Sequence, residues 1–374
     1  MTPAGAATSD GVKPTTLTAS AAVGAHRADA MRAMTQQRYG EAGDVLRLEE
    51  IERPEIGDDQ VLVRVHAAGV DRGVWHLMTG LPYPVRLAGY GLRAPKTGVR
   101  GREVAGRVEA VGRDVATVRP RDEVFGIAEG SFAEYACAQE SKLAPKPANL
   151  TFEQAAAVPV SALTALQGLR DHARLEAGHK VLVIGASGGV GSFAVQIAKA
   201  LGAKVTGVCS TTKVDLVRTL GADHVIDYTS DDIADAGERY DVILDTGGNR
   251  SLGHLRRALR PRGTLVIVGA ETGGRWLGGA DRQVRALMLS PFLEQKLCSF
   301  IASENREDLI ALTELIESGR VTPAVDRTYP LSEVPAAIRY MEEGRARGKV
   351  VITVPGDILR QHLGDSEPFA RVDS

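Results

Sequence analysis

Cysteine is scarce in this chain. Cys137, Cys209 and Cys298 stand far apart in 374 residues, with no C-x-x-C pair among them. That spacing excludes a disulfide framework and a four-cysteine zinc knot, and fits reduced thiols in a cytoplasmic protein. Charge of one sign is lacking too. Lysine and arginine number 45 against 47 aspartate and glutamate, so the basic surplus of a nucleic-acid binder is missing. The first thirty residues hold no aromatic residue and no apolar h-region, which argues against a secretory signal. We read 1–30 as a disordered extension, or as an over-long start since Met31 and Met34 follow, and 356–374 as a polar tail. No repeat of solenoid period is visible.

Long uncharged runs are rare as well, with one exception from Val181 to Ala198, reading VLVIGASGGVGSFAVQIA. A run of about 18 residues is where a membrane span becomes possible. Here Gly185, Gly188, Gly189 and Gly191 sit in mid-run and would break a continuous helix. Before them, Val181–Ile184 is a short unalternating β-branched run, the pattern of a strand buried on both faces. After them, Ala194, Ile197, Ala198 and Leu201 fall on one helical face. The segment reads strand, glycine turn, helix, and no membrane span is expected.

The length favours two domains. From Met31 to about Ala148 the chain is β-rich, with alternation at Val61–His66 and Glu103–Gly112 and short strands at Asp122–Gly126 and Phe132–Ala136. Thr151 and Gln154 have the spacing of a capping box. Beyond them, apolar strands at 181–184, 204–208, 224–226, 242–245 and 264–268 alternate with helices. That rhythm predicts an α/β fold with a doubly wound parallel sheet. A helix over 332–343 and a strand over 349–354 are expected to return to the first domain.

Two chemistries compete for the glycine turn. Gly185-Ala-Ser187-Gly-Gly189 satisfies G-x-S-x-G, with Asp245 and His254 following in hydrolase order. That elbow has no need of Gly191. The dinucleotide reading uses every small residue: Ala186, Gly188 and Gly191 stand where G-x-G-x-x-G has its glycines, with Ser187, Gly189 and Val190 between them. A helix N-terminus there offers free N–H groups to a pyrophosphate. An NAD site usually carries an acid at the end of the next strand. Here Lys204–Lys213 has none, and offers Ser210, Thr211 and Lys213, suited to a 2′-phosphate. NADPH is therefore favoured over NADH, although a solvated helix-start lysine is the plain alternative for Lys213.

These segments together resemble the medium-chain dehydrogenase/reductase superfamily, in its zinc-independent quinone oxidoreductase-like branch. The runs GASGGVGSFAVQIAKALGA (185–203), GADHVIDY (221–228), YDVILDTGG (240–248), GTLVIVG (263–269) and GKVVI (348–352) carry the likeness. It implies a GroES-like catalytic domain (31–155, with 325–355 returning to it) packed on a Rossmann NADP-binding domain (156–324). It also implies that Ala186–Gly191 hold the pyrophosphate and that Ser210 and Lys213 contact the 2′-phosphate. Tyr228 resembles the residue beside the adenosine ribose, though a strand-end aromatic would look the same. Thr164 resembles the hydroxyl near the nicotinamide, and Gly269 the backbone near its carboxamide.

Departures from the family pattern matter equally. Where zinc-dependent members place Cys, His and Cys, this chain has Asp71, Arg102 and Val160. Asp71, Glu103 and His76 could be imagined as an oxygen-rich site, but Arg102 among them would repel a cation. No metal is expected. What remains is hydride transfer from NADPH to an electrophilic π-system: a quinone, an α,β-unsaturated carbonyl or a reactive carbonyl. Candidates for the catalytic set are Asp71, Arg72, His76 and Tyr83, with Trp75 as a pocket wall and Tyr90 nearby; a packed cleft histidine is the alternative for His76. None of the eight tyrosines has Lys four residues later, which excludes the short-chain dehydrogenase pair. A non-catalytic NADPH-binding or sensor protein on the same fold is the alternative from another class. A small-molecule substrate is expected. So is a homodimer, paired through an edge strand at Lys296–Ile301.

Overall fold

The computed structural model describes residues 30–234, 237–269 and 274–355. The polar tail and all but the last residue of the amino-terminal extension therefore lie outside the described residues.

The chain opens with β1 (Ala30–Gln36), a one-turn helix α1 (Ala42–Val45) and β2 (Leu46–Glu52), and β1 and β2 pair antiparallel as a sheet of their own. The long strand β3 (Gln60–Val70) follows, then α2 (Arg72–Thr79). Next come β4 (Glu103–Val111), β5 (Glu123–Ile127), β6 (Tyr135–Gln139) and β7 (Leu143–Pro145). The strand expected at 132–136 thus begins three residues late. Ala133 is taken by Ala33 of β1 in an isolated bridge, and the Phe132 carbonyl accepts from the Met34 N–H. Helix α3 (Phe152–Ala156) starts at the expected capping box, with Thr151 N–H donating to Gln154 Oε1 and Gln154 N–H to Thr151 Oγ1. Helix α4 (Pro159–Gln167) comes next and is almost wholly buried.

The parallel sheet is then built as β8 (Lys180–Ile184), α5 (Gly189–Ala200), β9 (Lys204–Cys209), α6 (Val214–Thr219) and β10 (His224–Asp227). It continues through β11 (Tyr240–Asp245), α7 (Leu252–Ala258), β12 (Leu259–Ile267), α8 (Ala280–Leu289), β13 (Lys296–Ser299) and α9 (Arg306–Glu317). Its order is β10-β9-β8-β11-β12-β13, all parallel. The direction of winding reverses between β8 and β11, and in such sheets ligands bind outside the carboxyl ends of the strands at that point. Val181, Leu182 and Val183 are fully buried, as an unalternating strand inside a doubly wound sheet must be.

The chain then goes back. β14 (Val325–Pro330), α10 (Val334–Glu342) and β15 (Lys349–Thr353) join the first sheet, whose order is β14-β15-β3-β4-β5-β7 with β6 beside β3. Helix α10 is shorter than 332–343 because Leu331–Glu333 forms a tight 3₁₀ turn ahead of it. One hydrophobic cluster runs through both sheets. Ala67, Ala105 and Phe125 of the first meet α3 and α4, which meet Phe193 of α5 and Val181 and Val183 of the second.

Candidate active site

The glycine turn shows why small residues are required. Gly185 leaves β8 at φ +79°, a left-handed conformation that favours glycine. Its N–H and that of Ala186 both donate to the Val208 carbonyl of β9. Gly188 caps α5 in an extended conformation. A Cβ on Gly191 would run into the Gly185 carbonyl oxygen, so helix and strand approach as closely as backbone allows. Ala186, standing where the motif has glycine, fits because Gly207 opposite has no side chain: a Cβ there would lie 3.1 Å from Ala186 Cβ. The Ser187 carbonyl accepts from the Gly348 N–H at 2.8 Å, and a Cβ on Gly189 would stand 3.0 Å from Ser161 Oγ and 3.1 Å from Lys349 Cδ. Val190 packs against the shared core. The turn therefore presents backbone at the N-terminus of a twelve-residue helix, a cradle suited to a pyrophosphate.

The hydrolase alternative does not assemble. Asp245 accepts from Gly247 and Gly248 N–H through Oδ1 and pairs with Arg282 through Oδ2 at 2.6 Å. His254 lies 3.0 Å from Asp232 instead.

Beyond β9, Ser210 begins a 3₁₀ turn that ends at Lys213. Lys213 is not a solvated lysine. Its Nζ donates to the Gly344 and Ala346 carbonyls at 2.8 Å each, which leaves one of three protons unassigned. Burial lowers its pKa, and the Arg347 charge adds to that effect. Arg347 is thus a second cation at this end, missed by reasoning from the local segment because it arrives from the far end of the chain. Tyr228 N–H donates to the Cys209 carbonyl while its ring is half exposed at the same rim. Thr164 Oγ1 donates to the Val160 carbonyl at 2.7 Å, and a Cβ on Gly269 would run into the Thr246 carbonyl.

Helix α2 carries most of the expected catalytic set. Asp71 is its N-cap, with Oδ1 accepting from the Val74 N–H at 3.1 Å and Oδ2 buried without a hydrogen-bond partner. Arg72 lies over the Trp75 ring at 6.0 Å, and Trp75 meets His76 edge-on at 5.0 Å. His76 Nδ1 stands 2.7 Å from the Leu81 carbonyl, which can only accept, so Nδ1 carries a proton and Nε2 is the exchangeable position. Tyr83 stands apart from this group. Its ring meets Trp276 at 5.1 Å, and its N–H donates to the Arg275 carbonyl.

Two further features link the sheets here. Glu103 and Lys349 form a buried ion pair, with Glu103 Oε1 also accepting from the Val160 N–H at 2.9 Å. Burial pushes the Glu103 carboxyl up, and Lys349 opposes it. Gly69 makes room for that carboxylate, since a Cβ there would lie against it and 2.5 Å from the Ala156 carbonyl. Arg102 pairs with Glu304, which also holds Lys142 at 2.8 Å. A Cβ on Gly73 would lie 3.3 Å from Arg102 Nη1 and 2.7 Å from Asp71 Oδ1, so this guanidinium stands at the start of α2. The donor set does not fit a catalytic zinc. Arg102 is cationic, Val160 offers no side-chain donor, and Glu103 is spent on Lys349. Among the described residues no three His, Cys, Asp or Glu side chains are grouped to hold a metal.

A doubly wound parallel sheet with a glycine cradle at its switch point, joined to a second, β-rich sheet, has the architecture of a dinucleotide-binding protein. Residues 57–148 match the alcohol dehydrogenase GroES-like domain, and residues 220–352 match the family described as zinc-binding dehydrogenase. The chain is 34% identical over 338 residues to a 2-methylene-furan-3-one reductase of Solanum lycopersicum, covering 86% of this chain and 79% of that one. It is 35% identical over 343 residues to the chloroplastic NADPH-dependent alkenal/one oxidoreductase of Arabidopsis thaliana, with the same coverage. The quinone oxidoreductase from Coxiella burnetii superposes with a TM-score of 0.74 at 29% identity, covering 87% of this chain and 100% of its own. The chain belongs to the medium-chain dehydrogenase/reductase superfamily, and it is an oxidoreductase.

Proposed function

We propose that the chain is an NADPH-dependent, zinc-independent reductase of a quinone, an α,β-unsaturated carbonyl or a reactive carbonyl. The observation that carries this reading is the pairing of a glycine cradle with an α2 N-terminus where Arg102 stands and no metal-ligand set does. The names of the two plant relatives support the acceptor class and the cofactor. We assign residues 31–155 and 325–355 to the catalytic domain and 156–324 to the NADP-binding domain.

Bound NADPH would supply a hydride from C4 of its nicotinamide. Ser187, Gly189, Val190 and Gly191 would present N–H groups to its pyrophosphate, Ala186 and Gly188 would shape the turn with their own N–H groups bonded to the Val208 and Gly185 carbonyls, and Ser210, Lys213 and Tyr228, with Arg347, would bind the adenosine end. Thr164 and Gly269 would border the nicotinamide. Reduction of an enone consumes one hydride and one proton, and the chain's own contribution is to stabilise the oxyanion and deliver the proton. Arg72 on α2 and Arg102 beside its start are the cations here. His76 passes a proton through Nε2, and Tyr83, whose ring packs on Trp276 apart from α2, is not needed for this step. Asp71 positions Arg72 and His76 by capping the helix that bears them.

The location we propose is the cytoplasm, supported by three free cysteines. Among the described residues no helix is long and apolar enough to cross a membrane. We also propose a homodimer through β13, which is the edge strand of its sheet.

The test is to mix the protein with NADPH and a quinone or an enal after dialysis against a strong chelator. Oxidation of NADPH at an undiminished rate supports the reading. Chelator-sensitive turnover would overturn zinc independence, and NADPH binding without turnover of any acceptor would favour a sensor.

A further inference from the structure

A cavity of about 180 Å³ opens beside α2, between the loop that follows the helix and Glu304. Its charged lining is Arg100, Arg102 and Lys142 against Glu129 and Glu304. Glu304 answers Arg102 and Lys142. Nothing answers Arg100. Its side chain is 95% buried, since the residue is only 5% exposed. Its Nη atoms donate to the carbonyls of Leu77 and Thr97, and its Nε has no partner. The one ionisable neighbour whose charge bears on it is Tyr39. That phenol is itself pushed up by burial and hydrogen-bonds to the Tyr90 and Gly91 carbonyls, so it carries no negative charge near neutral pH.

A buried cation without a counter-ion is costly, and burial draws this guanidinium down to about 10. Such a group facing a cavity is half of an ion pair. Three cations against two carboxylates leave one positive charge, which matches a carboxylate better than a phosphate of roughly two negative charges. The cavity is also below the roughly 300–1,000 Å³ that holds a whole drug-sized ligand, so it suits a head group. Val74, Val99 and Ile127 complete the wall and would flank a short methylene chain.

We infer that Arg100 is the counter-ion for a carboxylate on the substrate, making the substrate an α,β-unsaturated carbonyl compound with an acid group at the end of a short chain. This rests on the reductase reading for the word substrate, but the anion site can be tested without it.

The experiment compares 5-oxohept-6-enoate with its methyl ester as acceptors for NADPH, in wild type and Arg100→Gln. The remote acid leaves the enone's reactivity unchanged. The wild type should show a KM for the acid at least tenfold below that for the ester, and in Arg100→Gln the ratio should fall to about one. A wild-type ratio near one, or a ratio that survives the substitution, overturns the inference. Calorimetric titration with glutarate, which has no enone, gives a second readout. Glutarate should bind the wild type and bind several-fold more weakly to Lys142→Gln, a part-exposed position that keeps the test open if Arg100→Gln does not fold. No heat with the wild type overturns the inference. Binding of glutarate without turnover of either enone would sink the reductase reading alone.

Discussion

Lys213 shows how a single residue can carry a choice of cofactor. Two carbonyls fix its Nζ, and its remaining proton is poised for one more acceptor. A charge-assisted hydrogen bond contributes about 1.5–3 kcal/mol, roughly 10- to 100-fold in affinity. Lys213→Gln should therefore raise the KM for NADPH by at least tenfold and that for NADH far less, as steady-state kinetics with the two cofactors will show. Glu103→Gln acts differently. It leaves Lys349 buried and unanswered, which typically costs about 3–5 kcal/mol. A large fall in melting temperature is expected, partly recovered in Glu103→Met/Lys349→Met; an unchanged temperature in the single variant would refute the account. The glycine cradle was legible because its residues are consecutive. The Glu103–Lys349 pair was not, since its partners are 246 positions apart and Glu103 reads from the sequence only beside Asp71 and His76.

Among elements, α2 is the one whose position decides the proposed chemistry, because Arg72 and His76 are both on it. Its first turn depends on the Asp71 cap, and losing such a cap costs about 1 kcal/mol. Asp71→Ala should lower both melting temperature and kcat, while Asp71→Asn, whose amide oxygen can still accept from Val74, should keep most of both. If Asn loses turnover as fully as Ala does, Asp71 is needed as an acid and not as a cap. The sequence disclosed the alternation of strands and helices, because buried strands and amphipathic helices have different periods. It did not disclose that β1 and β2 would form a sheet of their own, or that Ala133 would pair with β1 and delay β6. Those contacts are set by which neighbours compete for each backbone group, and no periodicity encodes that.

For the molecule as a whole, two consequences can be measured. Asp223 and Asp241 tie the parallel sheet at the amino ends of its strands, Asp223 to Lys199 and the Val205 N–H, Asp241 to Arg260 and the Lys180 N–H. Burial raises each carboxyl, but those partners outweigh it and hold both below the ordinary aspartate value. A lowered folded pKa stabilises above the unfolded value, about 3.9, and that stability is lost as pH falls through the folded one. Melting temperature should thus drop steeply below about pH 4, and less steeply in Asp241→Asn. The second consequence concerns assembly. Ile301 just beyond β13 and Phe292 and Met288 nearby are all strongly exposed and apolar, as an association surface would be. Phe292→Asp/Ile301→Asp should convert a dimer to a monomer in light scattering; a wild type that is already monomeric would refute the proposed pairing.

The return of β15 to pair with β3 also has a bearing on synthesis. The strand that completes the first sheet is nearly the last part of the described chain to leave the ribosome. At about 5–20 residues per second, the interval between Val70 and Lys349 lasts on the order of tens of seconds. During that time β3 has β4 along one edge and β6 along the first part of the other, while Ala67–Val70 of that second edge lack β15. The parallel sheet, whose strands all lie within this interval, can form first. The half of the molecule made first is therefore finished last, when Thr353 arrives to pair with Ala67.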